Sequence, residues 1–241
     1  MAIKTKLKCP KCPSSDAYVE YEANFYCFSC HYSTLKEVTS IGPAKTQAFA
    51  EVWESNFPNA VMDDLRCKMH FTDALLFKYN IKYASELALG KDEDNIKLYT
   101  NRLIIPTKVL DNQVMYFEAK ALGGEYPKYV SFGAKHLFKT FDGYADTVVL
   151  VEDLLSAMRI GEIMPCICLR GTNINHDRFI EITATAKNFV VWLDSDKPGQ
   201  GAARILKRKL EWHGATTNVV TDKDPKYYSD QEIREYLSCT Q

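Results

Sequence analysis

Residues 190–201 read VVWLDSDKPGQG: an apolar run passes into two aspartates one residue apart and then breaks at Pro198-Gly199. A short, continuous apolar run closed by turn formers reads as a strand buried on both faces. The same grammar recurs on both sides of it. TVVLVE (147–152) leads into DLLSAMRIGEI, CICLRG (166–171) into HDRFIEITATA, and NFVVWLD into GQGAARILKRKLEWHG, with TTNVVTD (216–222) last. Strands alternating with helical segments predict an α/β unit, a parallel sheet covered by helices. In such sheets ligands bind beyond the carboxyl ends of the strands, where the two aspartates of the opening stretch lie.

Working back toward the amino terminus, the segment 97–139 changes character. LYTNRLIIPTKVL, QVMYFEAKAL and KYVSF read as strands joined at Asp111-Asn112 and Gly123-Gly124. This block carries Lys97, Arg102, Lys108, Lys120, Lys128, Lys135 and Lys139 against Asp111, Glu118 and Glu125, so it is net positive inside a chain of formal charge −1. From about Ala48 to Leu89 apolar residues recur at spacings of three and four, which predicts helix. TSIGPAKTQ (39–47) is a linker signal.

The overall balance excludes several classes. The chain has no run of eighteen apolar residues, and no apolar segment follows the lysines of its first dozen residues. Neither a membrane span nor a secretory signal is expected, and the cytoplasm is the expected compartment. A net charge of −1 argues against a wholly basic nucleic-acid coat, so any phosphate binding falls to local patches.

Eight cysteines without an export signal read as metal ligands and buried thiols. Cys9, Cys12, Cys27 and Cys30 form two CxxC pairs with fourteen residues between them. Two such knuckles aim four sulfurs at one point, the requirement of a closed, structural Zn²⁺ site. The alternative, four unrelated thiols, fits the spacing poorly. Tyr18, Tyr21, Phe25, Tyr26, Phe28 and Tyr32 crowd the same unit, most of them as the small core a ribbon needs. His31 or one exposed tyrosine is the candidate to meet single-stranded bases.

Glu152 ends one predicted strand, and Asp194 and Asp196 end another. In a parallel sheet these positions share one edge, where gathered carboxylates repel unless a divalent cation neutralises them. Mg²⁺ or Mn²⁺ is the expected ion. Asp194 and Asp196 alone would serve equally well as turn and helix-cap residues before Gly199.

The stretch from Val148 to Pro225 resembles a Toprim domain, the catalytic module shared by DnaG-type primases, topoisomerases and some nucleases, with Glu152 as its glutamate and Asp194-Ser195-Asp196 as its DxD. NRLIIPTKVLDNQVMYFEAKAL, PKYVS and HLF resemble the basic subdomain that precedes Toprim in bacterial and bacteriophage primases, and LRGTNINHDRF their Gly-Thr segment. The resemblance implies a zinc ribbon over residues 1–40, a linker over 41–50, a basic α+β subdomain of an RNA polymerase domain over 51–145 and a Toprim catalytic subdomain over 146–241. It further implies synthesis of short RNA primers from nucleoside triphosphates on a single-stranded DNA template. Glu152, Asp194 and Asp196 would be catalytic and hold Mg²⁺ or Mn²⁺, with Asp224 of DKDPKYY as a further carboxylate. Arg102, Lys120 and Lys128 would bind nucleotide and template. The family commonly has an aspartate four residues after the glutamate, where this chain has Ser156, with Asp153 directly after Glu152. No GxxxxGK[ST] loop is present, so a separate replicative helicase is the implied partner. A RecR-like recombination mediator and a Toprim nuclease are the competing readings.

Overall fold

The computed structural model describes residues 4–20, 24–27, 29–30, 33–35, 56–90, 96–110, 113–133, 136–172 and 174–238. The chain divides into two compact units, residues 1–45 and 46–241.

The first unit is an antiparallel meander of β1 (Lys4–Leu7), β2 (Tyr18–Glu20), β3 (Asn24–Cys27) and β4 (Ser33–Leu35), paired in sequence order. Its buried hydrophobic residues among those described are Cys9, Tyr18, Val19 and Cys27, with the ring of Phe25 stacked on Tyr18 at 5.4 Å. A described core this small leaves need for a metal or another staple in a unit of this size. The four cysteines supply what is missing. Their sulfurs gather within 4.8 Å of one another, with Cys9–Cys30 and Cys12–Cys27 each at 3.7 Å. A tetrahedral zinc with Zn–S bonds near 2.3 Å has sulfur–sulfur edges of about 3.8 Å, so the cluster fits that ion. Burial pushes the Cys27 thiol up, but the backbone N–H groups of Cys30 and Ser29, with Cys9 and Cys30 beside it, bring it down to about 7. A thiol so poised gives up its proton to a metal readily.

The second unit begins with α1 (Asn59–Asp63), which runs into a π-helical turn at Asp64–Lys68, and α2 (Asp73–Lys78), capped where Thr72 Oγ1 accepts from the Leu75 N–H. The helical periodicity read through to Leu89 stops earlier. Asn80 takes a positive φ of 48°, and Lys82–Gly90 is a strand, β5, paired along its length with β6 (Ile96–Leu110). Helical spacing in the sequence gives way here to cross-strand pairing that buries Leu87 and Leu89 on one face. β7 (Gln113–Ala121) and β8 (Tyr129–Phe132) complete an antiparallel sheet in sequence order.

The second sheet has the order β13-β12-β10-β11-β9. Its strands are β9 (Phe138–Lys139), β10 (Thr147–Val151), β11 (Cys166–Cys168), β12 (Asn188–Trp192) and β13 (Thr216–Val219). β10 to β13 are parallel, while β9, which lies ahead of residue 146, joins the edge antiparallel. Period-two alternation sends Val149, Val151, Val190 and Trp192 to one core, with α3 (Leu154–Gly161) and α6 (Asp230–Ser238). Val148, Leu150, Phe189 and Val191 go to the other, with α4 (His176–Thr183) and α5 (Lys197–Trp212). On α5 the buried stripe is Ala203, Leu206 and Leu210; Ile205, grouped with the leucines by sequence, faces solvent at 56% exposure. Among the described residues, no helix is long and apolar enough to cross a membrane.

Two outcomes follow from this packing. Cys27→Ser is expected to remove the bound zinc and to expose residues 1–45 to protease while 46–241 stays resistant, read by metal analysis and limited proteolysis. At Gly199 a Cβ would lie 2.2 Å from the Asp194 carbonyl oxygen and 3.1 Å from Asp196 Oδ1. Backbone cannot yield as a side chain can, so Gly199→Ala should cost on the order of 1–3 kcal/mol in urea unfolding and displace Asp194.

Candidate functional site

Parallel pairing explains why the acidic residues meet. Val151 is in register with Trp192, and Val191 with Val219, so three neighbouring strands end on one edge. The chain leaving β10 carries Glu152 and Asp153, that leaving β12 carries Asp194 and Asp196, and that leaving β13 carries Asp224 and Lys226. Facing them is the antiparallel sheet. β7 alternates Phe117 and Ala119 into its own core with Tyr116, Glu118 and Lys120 toward the edge, and Lys128, just ahead of β8, joins Tyr129 and Ser131 of that strand. The resulting cleft of about 490 Å³ is also lined by Glu152, Asp153, Arg170, Asp194, Asp224 and Lys226.

The carboxylates differ in what surrounds them. Asp153 begins α3, with Oδ1 accepting from the N–H groups of Leu155 (3.0 Å) and Ser156 (3.1 Å). Its Oδ2 accepts from Ser156 Oγ at 2.7 Å and Lys226 Nζ at 2.8 Å. Burial would raise its pKa, but Lys226 and these hydrogen bonds outweigh burial and lower it. Asp196 begins α5 in the same manner, Oδ1 accepting from the Gly199 N–H at 2.8 Å. Asp224 precedes a 3₁₀ turn at Pro225–Tyr227 and accepts from Lys226 Nζ at 2.5 Å.

Glu152 and Asp194 are compensated less, with Lys226 offsetting only part of the burial and repulsion at Asp194. Glu152 Oε2 is buried with no hydrogen-bond partner among the described residues. Burial, then Asp194 and Asp196, push its pKa up to about 7. Burial, then Asp224, push Asp194 up to about 6. An orphaned, buried carboxylate oxygen beside a second carboxylate of raised pKa is a setting that a hard divalent cation relieves. The tightest acidic group is Asp153, Asp194 and Asp224, whose oxygens lie within 4.8 Å of one another.

The predicted basic residues are distributed unequally. Lys120 and Lys128 line the cleft, the first buried and the second exposed at its mouth. Burial lowers the pKa of Lys120, with Asp153 working against it. Arg102 lies elsewhere, buried in β6, where Nη1 donates to the Pro127 carbonyl at 2.6 Å and so fixes the backbone next to Lys128. His31 falls outside the described residues.

The structure adds two cations that the sequence reading left unassigned. Arg170, following β11, lies over the Tyr116 ring at 4.3 Å, approaches Glu118 at 3.5 Å and donates to Thr107 Oγ1. Lys226, with only 5% of its side chain exposed, joins Asp153 to Asp224. For Lys226 the signal was present in the alternating charges of DKDPK, and for Tyr116 and Glu118 in the period-two pattern that ends at Lys120.

No family model matches the chain. A DNA primase of Thermotoga maritima is 25% identical over 183 residues, covering 68% of this chain; the chain spans about a third of that protein's length (31%). Among solved structures, the zinc-binding and RNA polymerase domains of the Aquifex aeolicus primase align over 99% of this chain and 80% of theirs, with a TM-score of 0.61 and 12% identity. A DnaG primase catalytic domain bound to single-stranded DNA aligns over 78% of this chain and 73% of its own, with a TM-score of 0.56 and 14% identity. The chain is thus similar in sequence to a DNA primase and carries the fold of the zinc-binding and RNA polymerase domains of solved primases.

Proposed function

We propose that the chain makes short RNA primers from nucleoside triphosphates on a single-stranded DNA template, by metal-dependent nucleotidyl transfer. The observation that carries this reading is one cleft in which carboxylates from three parallel strand ends face lysines of an antiparallel sheet. Glu152 and Asp194 would hold Mg²⁺ or Mn²⁺, with Asp196 adjacent on the α5 cap. Such an ion supplies charge compensation for a triphosphate and its pyrophosphate leaving group. The orphaned Glu152 Oε2 is the atom that fits it.

The chain's own residues do the positioning. Lys120 and Arg170, both buried on the cleft wall, offer fixed positive charge to phosphate oxygens. Lys128 and Tyr129, at the mouth, offer charge and a ring face to the template strand. Arg102 acts through the Pro127 carbonyl as a positioning residue for Lys128. The bound triphosphate then presents its α-phosphate to the primer 3'-hydroxyl, and pyrophosphate leaves as the new phosphodiester forms. Selection of the template falls to the zinc unit, including His31.

Single-stranded DNA of mixed sequence, labelled ribonucleotides and Mg²⁺ or Mn²⁺ test the reading. Wild type should yield short, template-dependent RNA, and Asp194→Asn should reduce the yield on the order of 10³-fold, the scale of a charge that stabilises phosphoryl transfer. DNA cleavage, or tight DNA binding without product on several templates, would replace this reading with the nuclease or the mediator.

The raised pKa values carry a second expectation. A carboxyl raised in the folded state holds its proton where the unfolded chain has lost it, so stability falls as pH rises between the two values. Without divalent ions, the melting temperature should therefore fall from pH 5 to pH 7.5 as Glu152 and Asp194 ionise. Mg²⁺ should restore more of it at pH 7.5 than at pH 5, read by thermal melts in chelator and in Mg²⁺.

A further inference from the structure

We propose that Lys226 is a resident cation of the acidic cluster. Its ammonium withdraws Asp153 and Asp224 from metal binding and leaves a single divalent-ion position, on the side of Glu152 and Asp194. The inference rests on reading the cleft as a divalent-cation site, and it is independent of whether the reaction there is primer synthesis.

Lys226 Nζ lies 2.8 Å from Asp153 Oδ2 and 2.5 Å from Asp224 Oδ2, so one charge already serves two of the three closest carboxylates. The ammonium is held in place rather than swinging in from solvent. Its side chain is 95% buried, and its backbone belongs to the Pro225–Tyr227 turn that Asp224 begins. That loop is pinned in turn, because the buried Trp192 at the end of β12 donates its indole N–H to the Lys223 carbonyl at 3.1 Å.

Lone-pair accounting separates the two sides of the cluster. A carboxylate offers about four acceptor positions. Asp153 has filled all four, with two helix N–H groups on Oδ1 and the Ser156 hydroxyl and Lys226 on Oδ2. A metal at Asp153 would have to displace one of them, and it would have to share the space with a buried ammonium. Glu152 Oε2, by contrast, is buried and has no donor among the described residues. The Lys226 charge is bonded to Asp153 and Asp224 and offsets part of the repulsion at Asp194, which leaves Glu152 Oε2 as the buried carboxylate oxygen without a donor.

The test counts Mn²⁺ bound to the full, zinc-loaded chain at pH 7.5, by loss of the free-ion signal in electron paramagnetic resonance. Wild type should bind one Mn²⁺ in the cleft, and Glu152→Gln should abolish it. Lys226→Gln should bind two, while Lys226→Arg should keep one. Should the glutamine variant fail to fold, Asp153→Asn decides the question, because asparagine keeps the helix cap. As a residue that does not ligate, it should leave Mn²⁺ affinity within threefold. Two Mn²⁺ in wild type, one in a folded Lys226→Gln, or a tenfold loss in Asp153→Asn would each overturn the proposal. No Mn²⁺ in wild type would overturn it together with the cation reading of the cleft. One Mn²⁺ with no RNA product would leave it standing and overturn only primer synthesis.

Discussion

Like charge gathered at the ends of parallel strands is the constraint around which the second unit is organised. Parallel pairing brings the carboxyl ends of β10, β12 and β13 to one edge, and each end delivers acid. Around Glu152 stand Asp153, Asp194, Asp196 and Asp224, and their repulsion opposes the fold that assembles them. The chain answers with different devices. Asp153 and Asp196 are spent on the first turns of α3 and α5, where helix N–H groups offset their charge. Asp224 shares the Lys226 ammonium. Glu152 and Asp194 keep the least compensated charge, both raised in pKa, with Lys226 offsetting only part of it at Asp194.

The facing wall is built by a different rule. Alternation in β7 makes one strand serve two purposes, with Phe117 and Ala119 closing an apolar core and Lys120 two residues from Glu118 on the cleft side. Burial of Arg102 behind this wall spends a charge on holding a carbonyl. An arginine interior to a sheet is costly unless bonded, and its guanidinium has the Pro127 carbonyl and the Tyr99 ring at 5.5 Å.

Much of this was legible in the sequence, for physical reasons. Apolar runs such as 147–151 and 188–192 can be only strands buried on both faces once turn residues bound them, which gives the parallel sheet and the edge where Glu152 and Asp194 lie. CxxC pairs are equally direct, since the knuckle geometry is local. What was not legible depends on partners distant in the chain. β5 carries helical spacing and becomes a strand only because β6 pairs with it from Ile96 to Ile104. Ile205 and Leu206 are both apolar, and only the sheet decides which of them is covered. Arg102 and Lys120 look alike in a basic block, yet one is a strut and the other lines the cleft. Lys226 acquires its meaning from Asp153, 73 residues away.

The strand bearing the cationic wall also limits how the chain can change length. Because side chains on β7 alternate, adding or deleting one residue within it would turn Tyr116, Glu118 and Lys120 into the apolar core and Phe117 and Ala119 toward the carboxylates. A one-residue change inside that strand is therefore opposed on both of its faces. The irregular pairing at Pro106–Val109 in β6, where the ladder already slips, is the place that can absorb an odd residue, by widening the bulge and leaving the wall as it is.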